Sequence, residues 1–377
     1  MTKGTNPLKG KKKPSTCFIP PQTKNCENYD RKNLKNRFFA MHTGNFDTLD
    51  DLLRATYLDL LNGDNLNRVL SKKGLSTERF GALLELNNPR ARLSRSVGRA
   101  RIFSALGELI WYLSASNSIQ QIEYYIKGYG EFSDDNGETA NGAYGPRLFG
   151  SGSGDSEWGR VIGLLSRRDR QGSRNAVIQI LRNSDLSKPT KDRPCTTTLQ
   201  FVVRDGRLFL HVHMRSNDAY LGLPHDIFSF SMLQEIAAKQ LNLELGSYFH
   251  SVGSLHLYDD TDEEGDPKPT TNAKEYVDEK YMGVKPMPAM PDADPWAWIQ
   301  RLVQAEAGYR QGSLETPLDV SAPTYWKDLD CLLRAYSGIK HLYGSERLKF
   351  LHECLYQLEE ESYHLFLLDR IEFFEQK

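Results

Sequence analysis

Cys195 follows Arg193 and Pro194, and twenty residues on the chain reads Arg215-Ser216-Asn217-Asp218-Ala219-Tyr220-Leu221-Gly222-Leu223-Pro224-His225-Asp226. A thiol attacks carbon only as thiolate, and a guanidinium nearby favours that form. Arg215 is the candidate guanidinium. A lone cysteine is more often a small buried hydrophobe, but the polar run around this one favours a nucleophile. Arg215 and Ser216 also suit a phosphate, one with a bidentate fork and one with a short hydroxyl. Glu108 lies in Gly107-Glu108-Leu109-Ile110-Trp111-Tyr112-Leu113. A carboxylate among apolar neighbours is costly to bury without a partner or a task. It reads either as a structural hydrogen bond or as a general acid/base. A nucleophile, an anion grip and a proton carrier are the parts of covalent catalysis on an activated ring.

Further candidates are less specific. Arg174, in Ser173-Arg174-Asn175, is a second phosphate ligand or a solvated surface charge. The same choice applies to Lys72 or Lys73 before Gly74. His256 and Tyr258 alternate on one strand face and suit a sugar hydroxyl. His211 and His213 share that spacing, but no Cys or carboxylate cluster completes a tetrahedral set. They read as ordinary strand residues, and no metal is expected.

These groups need elements to position them. Apolar spacing predicts a helix over 48–61, ended by Asn62-Gly63-Asp64. It predicts a buried helix over 101–112 and a further helix over 118–129. Residues 175–181 and 196–203 read as strands, and Asp205-Gly206 as a hairpin turn into 208–213. Residues 228–240 form a long core helix, and 256–258 a strand end. Residues 259–266 are acidic, and 267–295 read as irregular connections rich in Pro, Asp and Met. Helical spacing returns from Trp296 to the end. No internal repeat is visible.

Composition sets the outer bounds. The chain has 377 residues, 39% hydrophobic and 26% charged, with a net charge of −1. That is ordinary for a globular protein and gives no polycation to hold nucleic acid. No apolar run suits a membrane span, and no apolar core follows the N-terminal lysines as a secretory signal requires. Five scattered cysteines (17, 26, 195, 331 and 354) argue for a reducing, cytoplasmic compartment without a disulfide framework. Residues 1–36 are polar and basic and read as a flexible tail, with a basic arm for nucleic acid or a partner as the alternative. The expected organisation is that tail, a catalytic domain over 37–290, and a helical extension over 291–377.

The motifs, taken in order, resemble the thymidylate synthase and deoxycytidylate hydroxymethylase superfamily. The resemblance covers about residues 45 to 260. It runs through Tyr57-Leu58-Asp59-Leu60-Leu61, Glu108 with its apolar continuation, Asp135-Asn136-Gly137 and Ala143-Tyr144-Gly145. It continues through Ser173-Arg174, Pro194-Cys195, Arg215 to Pro224, and His256-Leu257-Tyr258. It implies an α/β (α+β) three-layer fold with a large mixed sheet that pairs back to back in a homodimer. It implies Cys195 as the nucleophile at carbon 6 of a pyrimidine nucleotide monophosphate, with Glu108 as acid/base through ordered water. Tyr144 would assist at carbon 5, and Asp218 would contact base or folate. His256 and Tyr258 would hold the deoxyribose hydroxyl, and Arg174 would reach the partner subunit's phosphate. The one-carbon donor would be 5,10-methylenetetrahydrofolate, with Tyr129 and Phe132 where the synthases carry tryptophans.

One departure points to the base. Asp226 stands where the synthases have Asn. A carboxyl accepts from the amino group of cytosine and, if protonated, donates to its N3, whereas a carboxylate faces uracil O4 acceptor to acceptor. Asp226 therefore resembles the cytidylate branch. Thr196, Asn175 and the missing short C-terminal tail also depart from the synthases. The expectation is an enzyme that transfers a one-carbon unit, as hydroxymethyl, to carbon 5 of a cytosine nucleotide. The alternatives are a uridylate methylase with an unusual base reader and a non-catalytic nucleotide-binding regulator on the same fold.

Overall fold

The computed structural model describes residues 42–94, 102–150, 155–167, 169, 172–261, 268–279, 285–315, 318 and 321–376. The basic tail over 1–36 lies outside the described residues. The chain opens with β1 (His42–Phe46), α1 (Leu49–Asn62), β2 (Asn67–Ser71) and β3 (Gly74–Leu86). Then come α2 (Ile102–Leu113), α3 (Ile119–Glu123), α4 (Gly145–Phe149) and α5 (Glu157–Leu165). β4 (Val177–Gln179), β5 (Thr196–Arg204), β6 (Arg207–Asp218), α6 (Leu223–Leu241) and β7 (Glu244–Tyr258) complete the sheet region. Five helices follow: α7 (Pro269–Asp278), α8 (Trp296–Arg310), α9 (Thr324–His341), α10 (Gly344–Gln357) and α11 (Glu361–Glu375).

The seven strands form one mixed sheet in the order β1-β3-β7-β6-β5-β4, with β2 paired to β3. β1/β3 and β6/β7 are parallel, and the other pairs are antiparallel. Asp205 and Gly206 both have left-handed backbone, φ 50° and 72°. Two positive φ values make the tight turn whose twist matches the flanking strands, and they fix the β5–β6 register. Alternation on β6 buries Leu208, Leu210, Val212 and Met214 and exposes His211 and His213. The buried row meets α6, which is buried on nearly every side. Phe80 on the opposite face of the sheet is 60% exposed.

The helix predicted over 48–61 forms as α1, and the Thr48 side chain accepts from Asp51 N–H as its N-cap. The helix predicted over 118–129 stops at Glu123, because Tyr124 and Tyr125 pack against Tyr336 of α9 and Gly128 turns left-handed at φ 83°. The irregular stretch contains α7. Its first turn is held by Asp260, which accepts from Thr270 N–H, Thr271 N–H and the Thr271 hydroxyl. β3 has no strand reading in the sequence, because Glu78, Arg79 and Glu85 interrupt its alternation. Their partners come from elsewhere: Arg79 pairs with Asp59 of α1, and Glu78 accepts from Ser254 Oγ at 2.5 Å.

The C-terminal helices form an outer layer on α2 and α6. Tyr336 stacks on Phe103 and on Tyr125, and Tyr325 donates to Met232 Sδ. Arg92 forms a fully buried ion pair with Glu235 of α6, and Met290 N–H donates to Glu235 Oε1 at 2.9 Å. Each buried side chain of Leu, Ile or Phe size in these layers contributes ~1.5–3 kcal/mol.

Candidate active site

Cys195 sits at the entry to β5, one residue before the ladder begins. Arg215, on the neighbouring β6, is fixed beside it by Arg215 N–H donating to Cys195 O at 2.8 Å. Its guanidinium donates to Pro194 O at 3.0 Å and Arg193 O at 3.1 Å. Nη2 comes within 3.8 Å of Cys195 Sγ. The sequence suggested a thiol with a lowered pKa. Instead, burial pushes the Cys195 thiol up and outweighs the downward pull of Arg215 and of Lys73. The thiol is therefore protonated before a substrate enters, and the arginine limits the cost of ionising it.

Tyr144 precedes α4 and accepts from Thr196 N–H at 3.2 Å, so its hydroxyl stands one residue from the thiol. Its ring stacks on Phe230 of α6 and tilts against Tyr112. Glu108 projects from α2, and Tyr112, one turn later, donates to Glu108 Oε1 at 2.8 Å. Burial raises the Glu108 pKa to about 7, and the Tyr112 hydrogen bond opposes the rise. Asp226, in the first turn of α6, is 9% exposed. Burial first, then the nearby Glu108 charge, pushes its carboxyl well above the ordinary carboxylate value, which favours the protonated form. Two carboxyls close enough to feel each other's charge, in separate environments, can take separate protonation roles.

His256 and Tyr258, at the end of β7, lie with ring centroids 4.9 Å apart. Tyr258 accepts from Ser71 Oγ at 3.4 Å. Asp218 pairs in register with His256. Its Oδ1 accepts from Tyr220 N–H and Leu221 N–H, shaping the turn into α6. Ser216 lies on β6 opposite Ser254. Tyr129 packs edge-on against Trp111 and Phe132, and it feels the charges of Glu108 and Cys195. Lys73 sits 4.5 Å above the Phe132 ring and its charge lowers the Cys195 pKa, so it is the lysine nearer the thiol; Lys72 and Lys73 are both exposed.

Arg174 does not join the group. Gln200 Nε2 donates to Arg174 O, which places Arg174 on the order of 16 Å along β5 from Cys195. His211 rests against Phe249, and His213 Nδ1 meets Ser251 Oγ at 2.7 Å. Among the described residues no group of three or more His, Cys, Asp or Glu lies together as a metal set. Among them, too, no helix is long and apolar enough to cross a membrane.

Sequence reasoning missed three participants. Tyr112 was detectable from its helical i,i+4 spacing to Glu108. Asn217 donates to Asp226 Oδ2 at 2.8 Å, and His250 Nε2 meets Asn217 Oδ1 at 2.8 Å. No local pattern signals those two contacts, because they join β6, β7 and α6.

Residues 95–275 match the thymidylate synthase family. Over 219 residues the chain is 32% identical to the deoxyuridylate hydroxymethyltransferase of Bacillus phage SP01, covering 54% of this chain and 56% of that protein. Over 233 residues it is 26% identical to a thymidylate synthase of Corynebacterium aurimucosum, covering 59% of this chain and 86% of the synthase. The chain thus spans little more than half the length of the phage relative.

Proposed function

We propose, from the match of residues 95–275 to the thymidylate synthase family, that this protein transfers a one-carbon unit to carbon 5 of a cytosine nucleotide monophosphate. The observation that carries the proposal is the chain of neighbours Arg215–Cys195–Tyr144–Asp226–Glu108, linked by contact or by charge.

Cys195 adds to carbon 6 of the ring, which makes carbon 5 a nucleophile. Arg215 steadies the thiolate as it forms, and with Ser216 it grips the phosphate. Lys73 or Lys72 adds charge there. His256 and Tyr258 hold the sugar hydroxyl. Glu108, poised to titrate near neutral pH, holds and moves the proton at the base edge, and Tyr144 stands beside carbon 5. Tyr129, Phe132 and Asp218 fit the flat ring of 5,10-methylenetetrahydrofolate, because the two aromatic side chains are half-buried beside the thiol. That carrier, when bound, supplies a carbon at the oxidation level of formaldehyde. The carbon-5 proton leaves, water adds at the new carbon, and the Cys195–carbon 6 bond breaks to free the 5-hydroxymethyl product.

A homodimer completes the site. Arg174 cannot reach its own thiol, and the exposed sheet face with Phe80 and His211 offers a surface for back-to-back pairing. Arg174 of one subunit then serves the phosphate of the other.

A neutral Asp226 is donor and acceptor side by side, as cytosine requires. The name of the phage relative favours a second reading, in which the same chemistry acts on deoxyuridylate. The deciding experiment uses deoxycytidylate and deoxyuridylate tritiated at carbon 5, with methylenetetrahydrofolate, and follows tritium release and product mass. Deoxycytidylate should react at least ~10²-fold faster, and Asp226→Asn should move the preference toward uracil. Equal rates would remove Asp226 as selector. Release from deoxyuridylate alone would establish the second reading, and release from neither would indicate a non-catalytic binder.

A further inference from the structure

A protonated Asp226 alone would leave the base ambiguous. A carboxyl can carry its proton on either oxygen, and the two placements complement opposite bases. Something must fix the proton to one side.

Behind Asp226 runs a buried chain of polar groups that leads away from the pocket. Asn217 Nδ2 donates to Asp226 Oδ2 at 2.8 Å. Asn217 Oδ1 meets His250 Nε2 at 2.8 Å. His250 Nδ1 meets Tyr248 Oη at 2.8 Å. Tyr248 and His250 are fully buried, and Asn217 is 4% exposed. Burial drives the His250 pKa down to about 3, so its ring is neutral and has one N–H.

These facts give the chain one direction. Asn217 turns its amide N–H₂ to Asp226, so its oxygen must accept from His250. His250 therefore carries its proton on Nε2, and its bare Nδ1 accepts from the Tyr248 hydroxyl. The tyrosine is the far end and a donor. Flipping Asn217 would require the opposite tautomer of His250 and would turn the Tyr248 hydroxyl into an acceptor. Gly222 leaves room for this arrangement, because a Cβ there would stand 2.9 Å from Asn217 Nδ2 and 3.4 Å from Asp226 Oδ2.

We propose that Tyr248, His250 and Asn217 are positioning residues that set base specificity, by holding Asp226 Oδ2 as an acceptor and its proton on Oδ1. Oδ1–H then donates to cytosine N3, and Oδ2 accepts from the cytosine amino group. Uracil meets the same two oxygens donor to donor and acceptor to acceptor. The inference rests on the reading of Asp226 as the base reader.

The test compares tritium release from deoxycytidylate and deoxyuridylate in four proteins: the unaltered chain, Asp226→Asn, Asn217→Ala and Tyr248→Phe. Tyr248→Phe removes one oxygen and keeps the packing, so it remains informative if Asn217→Ala folds poorly. Both relay variants should lower the cytosine-to-uracil ratio about tenfold or more, whereas a merely structural loss depresses both substrates together. A ratio unchanged in the relay variants but altered in Asp226→Asn overturns the relay and spares the base reader. A ratio unchanged in Asp226→Asn overturns both. Independently of turnover, nitrogen-15 spectra of the unaltered protein should show His250 protonated on Nε2. Protonation on Nδ1 overturns the proposed direction.

Discussion

Tyr112 Oη donates to Glu108 Oε1 at 2.8 Å across one turn of α2, and it partly offsets the burial that holds Glu108 near pKa 7. Tyr112→Phe removes that bond, and the Glu108 value should rise further. The limb of the kcat/KM profile that Glu108 sets near pH 7 should move to higher pH. A limb that moves down, or stays, would count against Glu108 as the titrating group.

Stability should follow the same group. Its folded pKa is raised above the ordinary 4.5. The stability of its neutral form is present below about pH 4.5 and lost as pH rises through about 7. Glu108→Gln cannot ionise, so its melting temperature should fall less than that of the unaltered protein between pH 5 and 8. Parallel pH curves would contradict the sign.

Cys195→Ser should abolish exchange of the carbon-5 hydrogen and leave nucleotide binding measurable by calorimetry. The proposed addition at carbon 6 runs through this thiol. Full exchange in the serine variant would falsify the covalent step.

The remoteness of Arg174 from Cys195 gives a complementation test. Arg174→Ala and Cys195→Ser should each be inactive and should recover part of the activity when mixed, because one hybrid site has both residues intact. A strict monomer by light scattering, or no recovery after subunit exchange, would rule out a shared site.

Glu235→Ala should destabilise the fold by ~3–5 kcal/mol, since it leaves Arg92 as a buried unpaired charge. Arg92 Nε and Nη1 already have no hydrogen-bond partner, and Met290 N–H would lose its acceptor. Urea unfolding measures the change. A loss under 1 kcal/mol would mean the pair is dispensable.

The sequence by itself determined the parts. Cys195, Arg215, Glu108 and Asp226 stand in runs whose residue types state their chemistry, and α1, α2, α6 and the Asp205-Gly206 hairpin follow from local period and turn rules. β3 was hidden, because the groups that bond Glu78 and Arg79, Ser254 and Asp59, lie on other elements. Only the tertiary structure decided the directions in which the pKa values of the site groups shift. Burial of Cys195 overrode the nearby arginine and raised the thiol, and burial of Asp226 beside Glu108 raised its carboxyl. It alone also brought Asn217 and His250 behind Asp226 and set Arg174 away from its own thiol. Hydrogen-bond direction, desolvation and distance belong to groups from different elements, and no single segment of sequence contains them.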